Sequence, residues 1–213
     1  YALKVPSITE TSNTFIVTVL NDAKYAGTCY MYNNNASIAY CPIVGFSQEA
    51  FSQIIHHEAV GHGFGKLADE YAYSGTIPTD VKNGYITQQS TLGWWNNVDF
   101  TNDPNTIRWN SFLNNASYTG QVGIYEGGCT YQYGVWRSTQ NSIMLDNMGV
   151  FNAPSRQAIY KWIMELSGET YSMGKFLEYD AINRTVVTRA LGIKKAAKDF
   201  VPLAPPVVVS KFR

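Results

Sequence analysis

Residues Ile55-His56-His57-Glu58-Ala59-Val60-Gly61-His62-Gly63-Phe64-Gly65 contain all three histidines of the 213-residue chain, set around one glutamate. Histidine is the commonest metal-binding side chain, and a neighbouring carboxylate can move protons for a metal-bound water. A chain that uses histidine nowhere else has placed it here for chemistry. The residues before the cluster support a helix. Ser47 stands as an N-cap, Phe51, Ile54, Ile55 and Ala59 form an apolar face at helical spacing, and Gly63 and Gly65 end the run.

The spacing of the histidines sets a geometric problem. Two histidines four apart on a regular helix lie ~40° apart around its axis and reach one ion together. His57 and His62 are five apart, ~140° on the same helix, and would diverge. One extra residue taken up as a π-bulge returns them to one face, and such bulges recur at functional sites. Gly61, just before His62, eases that distortion. A second register pairs Glu58 with His62 as ligands, but it removes the carboxylate best placed to act as a base, so the bulged register is the expectation. His56, turned ~100° from His57, reads as a core residue or as a support for the ligands.

Outward from this helix the pattern is mixed. Residues 14–20 (TFIVTVL) read as a buried strand. Residues 27–32 and 36–44 read as a hairpin around Asn33-Asn34-Asn35. Residues 71–140 are rich in Gly, Asn, Thr, Ser and aromatics and read as an irregular segment with short helices, one near residues 107–113. Residues 154–166 (PSRQAIYKWIMEL) form an amphipathic helix started by Pro154 and followed by Gly168. Pro202, Pro205 and Pro206 mark an extended tail or linker over residues 201–213, after a domain spanning residues 1–200.

Composition bounds the function. Sixteen basic and sixteen acidic residues cancel, so nothing points to capture of nucleic acid or of an anionic membrane. No apolar run approaches the ~20 residues of a membrane span. Fifteen Tyr and five Trp read first as packing, with a polymer-gripping groove as the alternative. Three cysteines are too few for a disulfide scaffold; Cys29 and Cys41 flank the hairpin and can pair, leaving Cys129 odd.

His57-Glu58-Ala59-Val60-Gly61-His62 resembles the lengthened HExxGH zinc motif of the dipeptidyl peptidase III family. The wider run of residues 57–71 (HEAVGHGFGKLADEY) is similar to the IgA-peptidase-type metallopeptidases, whose signature is HExxH, a later glycine and an Asp-Glu pair. Gly65, Asp69, Glu70 and Tyr71 fill those later positions. The likeness extends to Asn21-Asp22 and Tyr25 upstream and to Asp103-Pro104, Glu126-Gly127 and Ser142-Ile143-Met144 downstream, so it covers most of residues 14–166. The departure is the extra residue between the histidines.

The resemblance implies an α+β zincin (metzincin-like) fold: a small mixed sheet, an active-site helix, a long irregular segment and a C-terminal helix. Its catalytic domain begins upstream of Tyr1. It implies Zn2+ as cofactor, a protein or peptide substrate, and a secreted or cell-envelope location in a bacterium. With no fourth histidine, the third protein ligand is most simply a carboxylate, and Asp69 and Glu70 both follow the glycine turn. By likeness to metzincins the choice is Asp69, with Glu70 as the alternative or as a group orienting a histidine. Glu58 is the expected general base, and Met144 the expected apolar floor beneath the metal. Tyr131 and Tyr133 read as surface aromatics, with an oxyanion donor as the alternative. The expected function is therefore zinc-dependent hydrolysis of peptide bonds, with extended substrate added to an edge strand of the hairpin. The rivals are a catalytically degenerate domain binding glycan or protein, and a structural metal site; the intact Glu58 opposes the first and the lack of cysteine near residues 56–70 the second.

Overall fold

A computed structural model describes residues 2–22, 26–43, 48–147, 149–184 and 203–210; Ser47 and Tyr25 lie outside them. The architecture is α+β, with one small mixed sheet, a second antiparallel sheet and several helices.

The first sheet follows from short β-branched and aromatic runs. Strands β1 (Phe15–Leu20), β2 (Thr28–Tyr32), β3 (Ser37–Pro42) and β7 (Val207–Val209) lie in the order β1-β3-β2-β7. The hairpin expected around residues 33–35 is present: β2 and β3 are antiparallel, with Cys29 opposite Ala39. β1 runs parallel to β3, and β7 parallel to β2. Period-two alternation puts Cys29, Met31, Ala39 and Cys41 on one buried face. The same alternation leaves Phe15, Val17 and Val19 exposed on the edge strand β1.

On the buried face lie α1 (Gln48–Ile54) and a continuous π-helix (Ile55–Phe64). Ile54 and Ala59 pack there with Cys29, Met31, Ala39 and Cys41 in the main core cluster. The Ser37 hydroxyl, buried at the start of β3, donates to the Gly63 carbonyl over 2.7 Å and ties the sheet to the helix end. Cys29, Cys41 and Cys129 are all buried thiols with no disulfide, so the pairing offered by the hairpin is not made.

Residues 71–140 hold more regular structure than their composition suggests. Helix α2 (Thr79–Leu92) is 14 residues long and ends on Gly93 in the left-handed conformation, φ 69°. Its polar sequence hides a modest apolar stripe: Val81, Tyr85 and Leu92 rest on the core. Strands β4 (Val98–Asp99), β5 (Tyr125–Gly128) and β6 (Tyr131–Arg137) form the second sheet, in the order β4-β6-β5. The short helix expected near residues 107–113 is α3 (Asn110–Leu113). A second core cluster of Ile107, Trp109, Phe112, Tyr118, Ala153 and Phe176 fills the C-terminal half. Trp94, Trp95 and Trp109 are fully buried, so much of the aromatic load is packing.

The chain then forms α4 (Ile143–Asp146), α5 (Ala153–Leu166) and α6 (Met173–Tyr179). The Asn152 side chain accepts from Ser155 N and caps α5, with Pro154 in its first turn. Among the described residues, no helix is long and apolar enough to cross a membrane.

Candidate metal centre

The π-helix resolves the five-residue spacing. Its backbone widens, as the Gly65 N to Val60 O bond of 2.8 Å shows across five residues, and His57 and His62 return to one side. Their ring centroids are 4.8 Å apart at an interplanar angle of 78°. Gly61 is required by its neighbour more than by its own dihedrals. A Cβ there would collide with the sulfur and terminal methyl of Met144, which is fully buried on α4.

Both histidines are oriented through Nδ1. His57 Nδ1 donates to the Ile143 carbonyl at 2.8 Å and His62 Nδ1 to the Leu67 carbonyl at 2.7 Å. A carbonyl only accepts, so each Nδ1 carries a proton, and Nε2 is the ring nitrogen left to face the interior of the site. Both Nε2 atoms face one carboxylate oxygen: Asp69 Oδ1 lies 3.0 Å from His57 Nε2, at hydrogen-bond distance, and 3.2 Å from His62 Nε2. His62 Nε2 is not aligned for a hydrogen bond, and Asp69 Oδ2 has no partner. A bound cation can take the place of the protons between these nitrogens and the carboxylate, with both Nε2 atoms and Asp69 Oδ1 turned to it. His57, His62 and Asp69 each offer a ligand atom, all within 4.8 Å of one another, and so could hold a metal ion. Burial alone would raise the Asp69 carboxyl; His62 and then His57 outweigh it and hold it below the usual carboxylate range.

Asp69 and Glu70 separate cleanly. Asp69 faces the imidazoles; Glu70 faces the opposite way, into a net of donors. Its carboxylate accepts from Asn97 Nδ2 (2.9 Å), from Asn152 Nδ2 at both oxygens (2.8 and 3.0 Å) and from Ser142 Oγ (2.6 Å). Its backbone N–H donates to the Met144 carbonyl over 2.8 Å. Glu70 thereby clamps the segment whose Ile143 carbonyl orients His57. Of the residues that donate to the carboxylate, only Ser142 belongs to a stretch singled out in the sequence; Asn97 and Asn152 carried no signal of their own.

Glu58 is buried beside the triad, and neither carboxylate oxygen has a hydrogen-bond partner. A Cβ on Gly27, just before β2, would stand 2.7 Å from Glu58 Oε1, so glycine there admits the carboxylate. Burial pushes this carboxyl up to about 8, with His57 opposing and Asp69 adding to the rise. The Tyr71 hydroxyl donates to the Leu203 carbonyl over 2.6 Å. Burial and the nearby Asp69 charge push that phenol upward.

The remaining candidates fall elsewhere. His56 is exposed, 3.5 Å from the Ser52 hydroxyl, and is neither a core residue nor a support for the ligands: the step from His57 turns it to solvent. Tyr131 packs partly buried against the main core, and Tyr133 is exposed on β6. Comparison with protein-family models and with curated proteins finds no match to this chain.

Proposed function

We propose that the chain is a zinc-dependent endopeptidase of the zincin (metzincin-like) type, akin to the IgA-peptidase-type enzymes its motif resembles. The observation that carries this reading is the convergence of His57, His62 and Asp69 next to a buried, unpartnered Glu58. Two imidazole nitrogens and one carboxylate oxygen suit zinc, and three protein ligands are the number found where a position stays open for chemistry.

Zinc held by these three residues would supply Lewis acidity, polarising the scissile carbonyl and lowering the pKa of water. Glu58 does the proton work. Desolvation gives its carboxylate a high proton affinity, so it takes a proton from the attacking water as the new C–O bond forms. It then delivers that proton to the amine nitrogen as the C–N bond breaks. His57 and His62 keep fixed orientations through the Ile143 and Leu67 carbonyls, so the ligand set needs no rearrangement. Met144 closes the floor against Gly61 and excludes water from below. A secreted or cell-envelope location is part of the same proposal and rests on the motif resemblance alone.

Incubation with an unbiased peptide library, read by mass spectrometry with and without chelator, tests the proposal. Cleavage should require metal, and Glu58→Gln should bind zinc as the parent does while losing hydrolysis by roughly 10²–10⁴-fold. Chelator-resistant cleavage, or an active Glu58→Gln protein, would refute it.

A further inference from the structure

The edge of the hairpin that an extended substrate would use is already taken. β7 pairs with β2 along Tyr30–Val207, Met31–Val208 and Tyr32–Val209. β2 is also the strand that begins beside Glu58, since Gly27 packs directly on that carboxylate. Four residues before β7, Leu203 is buried at 2 % exposure within the main core cluster, and its carbonyl accepts the Tyr71 hydroxyl at 2.6 Å. Tyr71 follows Asp69 by two residues. The C-terminal segment thus runs from a hydrogen bond beside the metal ligands onto the sheet edge next to the base.

Its sequence suits that position. Leu203-Ala204-Pro205-Pro206-Val207-Val208-Val209 combines an apolar anchor, two residues with φ held near −65°, and three β-branched residues that favour an extended backbone. Preorganised extended chains lose little entropy on joining a sheet edge. We infer that residues 203–209 occupy the peptide-binding cleft of the candidate metal centre and compete with substrate for it. The inference rests on the peptidase reading and deepens it: the cleft takes an extended apolar peptide, with a leucine-like side chain buried and the carbonyl of that residue held by Tyr71. The strand runs parallel to β2, and Pro205 and Pro206 leave Ala204 as the one backbone N–H donor between anchor and strand.

The test uses the full chain, freed of metal, and a fluorescein-labelled peptide with the sequence of residues 202–210 (PLAPPVVVS), followed by fluorescence anisotropy. Leu203→Asp with Val208→Asp removes the apolar anchors and sets a charge against the site's own carboxylates, so the tail should leave. The variant should bind the peptide at least ~10-fold more tightly than the parent. Adding Tyr71→Phe should cost that affinity about 2–12-fold, the loss of one hydrogen bond. Should the double variant lose its circular dichroism, a folded Leu203→Ala chain carries the same expectation at smaller size. Equal peptide affinity in parent and folded variant overturns the inference. With zinc restored, the variant should cleave library peptides at lower KM and similar kcat. Cleavage by the parent with no peptide binding to any variant removes the tail site and leaves the peptidase; peptide binding without cleavage does the reverse.

Discussion

Replacing Glu70 by glutamine separates the two adjacent acids by what each holds. Glu70 accepts four hydrogen bonds from Asn97, Asn152 and Ser142, all buried. A glutamine keeps one acceptor oxygen, while its amide nitrogen meets the Asn152 amide or the Ser142 hydroxyl donor to donor. About two bonds to a charged acceptor are lost, at roughly 1.5–3 kcal/mol each. Removing a buried charge returns part of this, since burial works against the ionised Glu70 carboxyl. A net loss of about 2–4 kcal/mol follows, equivalent in a chain of this size to roughly 5–15 °C in Tm. The assay is thermal and urea unfolding followed by circular dichroism, with and without zinc. At a free zinc concentration of 100 Kd, the parent should gain about 2.7 kcal/mol, and Glu70→Gln should show a similar gain from its lower baseline. Asp69→Asn should show the opposite signature, a near-parental baseline and little gain. A Glu70→Gln protein as stable as the parent, with the zinc increment abolished, would refute the division and make Glu70 the ligand.

Two further outcomes follow from packing and charge. Gly61→Ala should destabilise by about 1–3 kcal/mol in urea unfolding, because the added methyl meets buried Met144; combined with Met144→Ala the cost should be less than additive. Asp180 accepts from Arg156 Nε (2.6 Å), Arg156 Nη2 (2.8 Å) and the Tyr118 hydroxyl (2.7 Å), and these outweigh burial to hold its carboxyl below the usual range. Its folded pKa is thus below its unfolded one, so its contribution is complete above about pH 4 and lost as pH falls through the folded value. Asp180→Asn should cost roughly 2–4 kcal/mol at pH 7 and flatten the acid side of the urea-midpoint profile.

The histidine cluster was legible because chemistry concentrates rare residues: three histidines in seven positions need no alignment to stand out. The widened helix was legible for a geometric reason, since five residues on a regular turn cannot aim two rings at one point. The preference for Asp69 came from resemblance alone; in the structure the reason is visible, because Glu70 is turned into donors from positions 97, 142 and 152. Those partners are distant in sequence, and a lone Asn or Ser carries no period. Helix α2 was illegible because its core-facing side is only Val81, Tyr85 and Leu92 among polar and β-branched residues, so tertiary contact overrides weak patterning. Residues 125–137 read as loop because Gly127, Gly128 and Gly134 interrupt the alternation, each with positive φ, and the pairing of β5 with β6 shifts register between Glu126 and Gly128. The tail read as a linker because strand β7 has only three residues, and its partner strand lies 177 positions earlier by the pairing of Tyr30 with Val207.

X-ray absorption at the zinc edge, on the full chain loaded with one equivalent of zinc, reads out how many imidazoles meet at the metal. Convergence of His57 and His62 gives one tightly held ion with two imidazole nitrogens at about 2.0–2.1 Å and light oxygen ligands completing the shell, lost in both His57→Ala and His62→Ala. A shell containing sulfur, a single imidazole, or zinc retained unchanged when either histidine is removed would contradict it.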